Sequence, residues 1–156
     1  MPTNIRVTLT LPVMALFDDT ATRAILYDEL RSETERLLGD LVTQIQQQLP
    51  EGPMRESIEA QVALGLDASA LVAGHIFTED PRAIYVEEDT QPHDIVPRFK
   101  AALFWPGARH PVRRVHHPGT TGRHMFRQAE ETLERVAPAR AQQAVDRAAQ
   151  RLGEAL

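Results

Sequence analysis

Histidine is the residue type best equipped for chemistry in this 156-residue chain. Of its six histidines, His110, His116, His117 and His124 fall within a fifteen-residue window. Together with His93 they could present imidazole nitrogens to a zinc or iron ion. The spacing argues against such a centre. Adjacent His116 and His117 point to opposite faces of a strand, and no H-x-x-x-H or H-E-x-x-H helix is present. Nucleophilic catalysis needs an activated Ser, Thr or Cys beside a positioned base. The chain has no cysteine, and Ser32, Ser57 and Ser69 lie in no Gly-x-Ser-x-Gly elbow, which leaves Thr120 beside His116 or His117 as the candidate. The carboxylates sit mostly on helix faces, where solvation accounts for them. With no convergent catalytic set, neither enzymatic activity nor a metal or cofactor is expected.

The segment Pro118-Gly119-Thr120-Thr121-Gly122 offers another chemistry, since a glycine loop ahead of a helix can hold an anion on its backbone N–H groups. It lacks the lysine and the spacing of a G-x-x-x-x-G-K-[ST] loop. The mechanical reading is stronger: Gly119 supplies a positive-φ turn position, and Thr120, Thr121 or Gly122 starts and caps the helix that carries Phe126.

Charge is placed unevenly. The chain holds 17 Lys+Arg against 22 Asp+Glu, yet Gln91 to Arg127 contains Arg98, Lys100, Arg109, Arg113, Arg114, Arg123 and Arg127 against the single acid Asp94. A basic middle is thus bracketed by acidic flanks. Phe99, Phe104, Trp105 and Phe126 are interleaved in it, and the alternating pattern predicts aromatics facing the core and arginines facing out. Outward arginines mark a docking surface for an acidic neighbour or a DNA-facing surface.

The elements that must position these residues follow from periodicity. Ile5 to Leu11 alternates as a strand, and Leu26, Leu30, Leu37, Leu41 and Ile45 recur at helical spacing. That spacing predicts an amphipathic helix over Ala21–Gln48, capped by Asp18, Asp19 or Thr20 and ended by Leu49-Pro50-Glu51-Gly52-Pro53. Two strands over 57–65 and 68–78, turning at Leu66-Asp67, are favoured over a helix at 55–64. A helical turn over 81–87 precedes three short strands at 95–97, 101–105 and 111–115. Helices follow over 125–136 and 139–156, broken or restarted at Pro138. The expected fold is α+β, an antiparallel sheet packed against one long N-terminal helix, with C-terminal helices. Residues 1–137 are expected to form one domain and 138–156 a helical extension. The N-terminal apolar stretch alternates with polar residues and contains Pro12, so it suits neither a signal peptide nor a span of the ~20 apolar residues that a membrane helix needs.

Four pieces occur in order: Ala83-Ile84-Tyr85-Val86-Glu87 running on through Thr90-Gln91-Pro92-His93-Asp94-Ile95; then Ala101-Ala102-Leu103-Phe104-Trp105; then Val115-His116-His117-Pro118-Gly119-Thr120; then Met125-Phe126 with Ala129. The series resembles the neck or tail-completion (head-to-tail joining) proteins of long-tailed bacteriophages. In that family a tyrosine-valine-glutamate stretch leads to Gly-Thr-x-Pro-His-x-Ile, a Leu-x-Phe strand, a His-Pro-Gly-Thr turn and a Pro-Phe helix start. The motif residues carried over are Thr90, Pro92, His93, His117, Pro118, Gly119, Thr120 and Phe126. Two departures are Glu88-Asp89 in place of an aromatic-glycine pair and His124-Met125 where a proline is common. The resemblance implies a structural subunit of the virion tail or neck, assembled in the host bacterial cytoplasm. It implies a homo-hexameric ring, or a dodecamer, that meets connector or stopper and tail-tube proteins, with DNA passing through the lumen and no membrane. Tail-terminator proteins share this build. The alternative is a small DNA-binding module that uses the basic segment 98–127.

Overall fold

The computed structural model describes residues 5–12, 20–64 and 70–154. Along the chain lie β1 (Ile5–Pro12), α1 (Thr20–Gln47), α2 (Pro53–Glu56), β2 (Glu59–Leu64), β3 (Ala70–Thr78), α3 (Ala83–Glu87), β4 (His93–Ile95), β5 (Val115–His117) and α4 (Met125–Glu154). The fold is α+β with antiparallel sheets. It divides into two compact units, one of residues 1–84 with 125–156 and one of residues 85–124.

In the first unit the strand order is β1-β3-β2. The registers run from Ile5 opposite Thr78 to Leu11 opposite Val72, and from Glu59 opposite Phe77 to Leu64 opposite Val72. Period two then sends Val7, Val72 and Ile76 into the core, all buried. Of the helical stripe read from the sequence, Leu30, Leu37, Leu41 and Ile45 are buried on α1 and Leu26 is half-buried, with Leu38 buried beside them; α1 lies on β2 and β3. Burying each such side chain contributes roughly 1.5–3 kcal/mol. Helix α4 lies on α1 and β1, and Leu30, Val72 and Ala144 meet at the centre of one apolar cluster. The small residues of α4 allow that approach. The buried stripe is Ala137, Ala144 and Ala148, and Val145 beside it is 38% exposed.

Several expectations are corrected. The C-terminal region is one 30-residue helix, with Pro138 inside it, rather than two helices. Pro138 and Glu134 are both exposed, so the Glu134 carbonyl freed by the missing proline N–H lies on the solvent side of the helix, where its lost partner is least costly. The boundary expected between 137 and 138 falls inside this helix, and the second unit is instead the internal segment 85–124. Strand β2 prevails over the rival helix at 55–64, which is confined to α2. The Asp18 and Asp19 caps and the Leu66-Asp67 turn lie outside the described residues.

In the second unit the three expected strands at 95–97, 101–105 and 111–115 are corrected: strand pairing is confined to the β4/β5 ribbon, with His93 opposite His117, Asp94 opposite His116 and Ile95 opposite Val115, and 101–105 meets 111–115 only at an isolated bridge between Leu103 and Val112. Prolines at 92, 97, 106, 111 and 118 each remove a ladder donor and interrupt longer pairing.

Candidate functional site

The second unit holds two features, a clamp and an arm. The clamp joins Asp89-Thr90 to Gly119-Thr120-Thr121-Gly122. Thr90 N–H donates to the Thr120 carbonyl at 2.8 Å and Thr120 N–H to the Thr90 carbonyl at 3.2 Å. Thr120 N–H also reaches Thr90 Oγ1 at 2.8 Å, and Gly122 N–H donates to Asp89 Oδ1 at 2.7 Å. Arg123 N–H donates to the Val86 carbonyl at 2.7 Å and His124 N–H to that of Glu87 at 3.2 Å, tying the segment to α3 residue by residue.

The glycines are required by contact. A Cβ on Gly119, where φ is +87°, would lie 2.2 Å from the Thr90 carbonyl oxygen. One on Gly122 would lie 2.3 Å from that of Glu87. Both obstacles are backbone and cannot swing away. Gly119 therefore occupies the turn position expected of it, while helix capping by Thr120, Thr121 or Gly122 is corrected: α4 begins at Met125, after His124 at φ +52°. Both departures from the phage pattern are used here. Asp89 supplies the carboxylate for Gly122 N–H, and His124 makes the left-handed turn into α4, with Nε2 3.5 Å from Asp89 Oδ1. The N–H groups of Gly119, Thr120 and Gly122 are all engaged, and a carboxylate stands where a phosphate would need to be.

The histidines separate as the strand period requires. His93 and His117 stack across the ribbon with centroids 5.2 Å apart, and His116 Nδ1 meets Asp94 Oδ1 at 3.0 Å. His117 Nδ1 accepts from Gly119 N–H at 3.1 Å, which places its ring proton on Nε2. His93 Nδ1 lies 2.9 Å from the Gln91 carbonyl, to which it donates. Neither arrangement aims a base at Thr120. Among the described residues no three His, Cys, Asp or Glu groups come close enough to hold a metal ion.

The arm is residues 95–115. Leu103 and Val112 exchange both backbone hydrogen bonds, at 2.8 and 3.0 Å, and Ala108 N–H closes a turn on the Trp105 carbonyl at 3.0 Å. Pro106 second in that turn and Gly107 third, at φ +93°, make it type II. The expectation that the interleaved aromatics face the core fails here. Phe99 is 98% exposed, Phe104 68% and Trp105 46%, whereas Phe126, on α4, is buried. Ribbons this short have no second layer to cover them.

Of the seven basic candidates, Arg98, Lys100, Arg109, Arg113 and Arg114 share the arm. Arg123 stands beside the clamp, and Arg127 falls on α4 in the other unit. Arg114 Nη1 approaches Asp94 Oδ2 at 3.5 Å. Of the eight motif residues, Thr90, Gly119 and Thr120 form the clamp, His93 and His117 the stacked pair, Pro118 the strand exit and Pro92 the entry to β4; Phe126 belongs to the first unit's core.

The first unit carries an ion-pair ladder that the sequence reading did not single out. Arg140 reaches Glu33 at 2.7 Å and Asp40 at 3.4 Å. Arg147 reaches Glu33 at 2.6 Å and Glu29 at 3.0 Å, and Arg151 reaches Glu29 at 2.8 Å and Asp28 at 3.0 Å. Burial pushes the Glu33 carboxyl up, but hydrogen bonds from Arg147 and Arg140 outweigh it, so its pKa lies below the ordinary value. Hydrogen bonds from Arg151 and Arg147 lower Glu29 in the same direction. The signal was available as spacing: acids at 29, 33 and 40 on one helix and arginines at 140, 147 and 151 on the other are the same stripe read in opposite directions.

The chain matches no protein-family model, no curated protein and no solved structure. Its class therefore rests on the fold and on these two features: an α+β protein in which Asp89, Thr90, Thr120 and Gly122 hold two loops together.

Proposed function

We propose that this chain is a structural subunit of a tailed-phage virion, of the neck or tail-completion (tail-terminator-like) kind, forming a ring that joins the tail tube to the head connector. The observation that carries the reading is the clamp. Motif residues far apart in sequence, Thr90 with Thr120 and His93 with His117, pair one to one, so the ordered series that resembles the phage family has a common physical purpose in holding the base of the arm. The long α1 lying across the sheet, with α4 beside it, supplies a rigid body for such a subunit. In this reading the protein is non-catalytic, works as a hexamer or dodecamer, and contacts connector or stopper and tail-tube proteins in the virion.

In a phage that carries this gene, a nonsense mutation in it is expected to leave filled heads and finished tails unjoined under negative-stain electron microscopy. Joined particles at normal yield would refute the reading. Charge reversal at Arg113 and Arg114 is expected to reduce ring formation and tail joining at physiological salt. A second reading, DNA binding by the basic segment, is favoured by one observation, the exposure of Phe99, Phe104 and Trp105 among cations. It predicts salt-dependent binding of duplex DNA by the isolated protein, and no binding at low salt removes it.

A further inference from the structure

Two surfaces, one in each unit, expose side chains of complementary chemistry among the described residues. The first is the arm. It contains five of the chain's 17 Lys+Arg and none of its 22 Asp+Glu. Arg98, Lys100, Arg109 and Arg113 make no hydrogen bond or ion pair through their side chains among the described residues. Around them Ile95, Val96, Phe99, Phe104 and Trp105 expose apolar surface. Several large apolar side chains exposed in one short segment mark an interaction site, and Phe, Trp and Arg with acids absent is the composition of an interface centre. Ile95 and Val96 have no π-face on which a base could stack, so the patch suits a protein surface better than a nucleic-acid strand.

The second surface is the face of the three-stranded sheet opposite α1. The registers place Glu59, Gln61 and Ala63 of β2 beside Phe77, His75 and Ala73 of β3 on this side. The three β2 residues are exposed and the three β3 residues half-buried. The His75 and Phe77 rings lie 5.4 Å apart, tilted at 46° to one another, and form an aromatic platform. At the same end the Ser57 and Thr78 hydroxyls, 2.7 Å apart, bring the α2–β2 junction against β3. Glu56, Glu59 and Glu79 are therefore gathered at this end, all exposed. Arg6, opposite Phe77 on β1, is the counter-charge on the other side of these rings.

We propose that the arm of one copy docks on the open sheet face of a second copy, its aromatics against the His75–Phe77 platform and its cations toward Glu56, Glu59 and Glu79. The two patches differ, so the contact is head-to-tail and propagates from copy to copy, closing into a ring if the rotation allows. The inference rests on the ring reading only for that closure.

The test uses the full-length protein and three chains: wild type, an arm variant (Phe99→Ser with Phe104→Ser) and a face variant (Glu56→Lys, Glu59→Lys and Glu79→Lys). All five positions are exposed, and far-UV circular dichroism checks that each variant folds. By sedimentation velocity the wild type is expected to associate. Its single tryptophan, Trp105, should shift to shorter emission wavelength as concentration rises. Either variant alone should associate at least about thirtyfold more weakly, the fold-change for losing one hot-spot contact. Mixed one to one, the variants should form a heterodimer and stop there, because each retains one competent patch. Three results would overturn the proposal. One is a wild type that stays monomeric with Trp105 emission independent of concentration. Another is variants that associate as the wild type does. The third is Trp105 emission that responds to an added oligonucleotide but not to protein concentration. None of these outcomes bears on whether the nonsense-mutant phage joins its tails, so failure of the docking and failure of the phage reading are distinguishable.

Discussion

Replacing Glu33 with alanine removes the carboxylate on which Arg140 and Arg147 converge, and its cost can be worked from the geometry. The Glu33 side chain is 4% exposed and accepts at 2.7 and 2.6 Å. Breaking a fully buried ion pair costs about 3–5 kcal/mol, mostly because the surviving charge is stranded. Here the survivors are not stranded. Arg140 and Arg147 are 37% and 36% exposed, and each keeps another acid, Asp40 at 3.4 Å and Glu29 at 3.0 Å. A loss of about 2–3 kcal/mol is therefore expected, which at this chain length lowers the Tm by about 4–12 °C. Glu33→Gln keeps the shape and one acceptor and should lose less. The pH dependence has a definite sign. The folded carboxyl lies below its ordinary value of 4.5, so its contribution is complete above that value and fades as pH falls through the folded one. The gap between wild type and Glu33→Ala, read by urea unfolding, should narrow on acidification below 4.5. An unchanged Tm, or a gap that does not vary with pH, would refute the reasoning.

Other positions give independent checks. Gly39 lies inside α1 with nothing within 4 Å of an added Cβ, so Gly39→Ala should stabilise by about 0.5–1 kcal/mol in the same unfolding assay. Gly119→Ala combines a left-handed penalty of about 1–2 kcal/mol with overlap on the Thr90 carbonyl. It should open the clamp, read as faster hydrogen exchange at the Thr90 and Thr120 amides. Asp80 is bound through side chain and backbone by Arg82 and should titrate at about 2 by carboxyl NMR, returning toward 3.8 in Arg82→Ala.

The first unit was largely legible in the sequence because its signals are local and periodic. Alternation over Ile5 to Leu11 and the leucine stripe of α1 each specify an element and the face it buries. The second unit was misread as structure. Ala101 to Trp105 alternates like a strand, yet a strand's inner face exists only when another layer covers it, and nothing in that stretch encodes the layer. Phe99, Phe104 and Trp105 are consequently outside. Pro138 carried a strong local stop signal that packing overrode, since continuous contact with α1 on one side outweighs one missing hydrogen bond on the other.

What the sequence determined by itself is the composition of each face, the turn at Gly119 and the order of the motif pieces, because these depend on residue type and near neighbours. Only the tertiary structure decided which acids meet which arginines between α1 and α4, and that Asp89 rather than a phosphate meets the Gly122 amide. It also decided which partners the histidines meet across the ribbon, His93 stacking on His117 and His116 meeting Asp94. Those outcomes depend on which segments distant in sequence become neighbours, and a pairing energy shared among several comparable partners is settled only when the backbone has brought one of them within hydrogen-bonding distance.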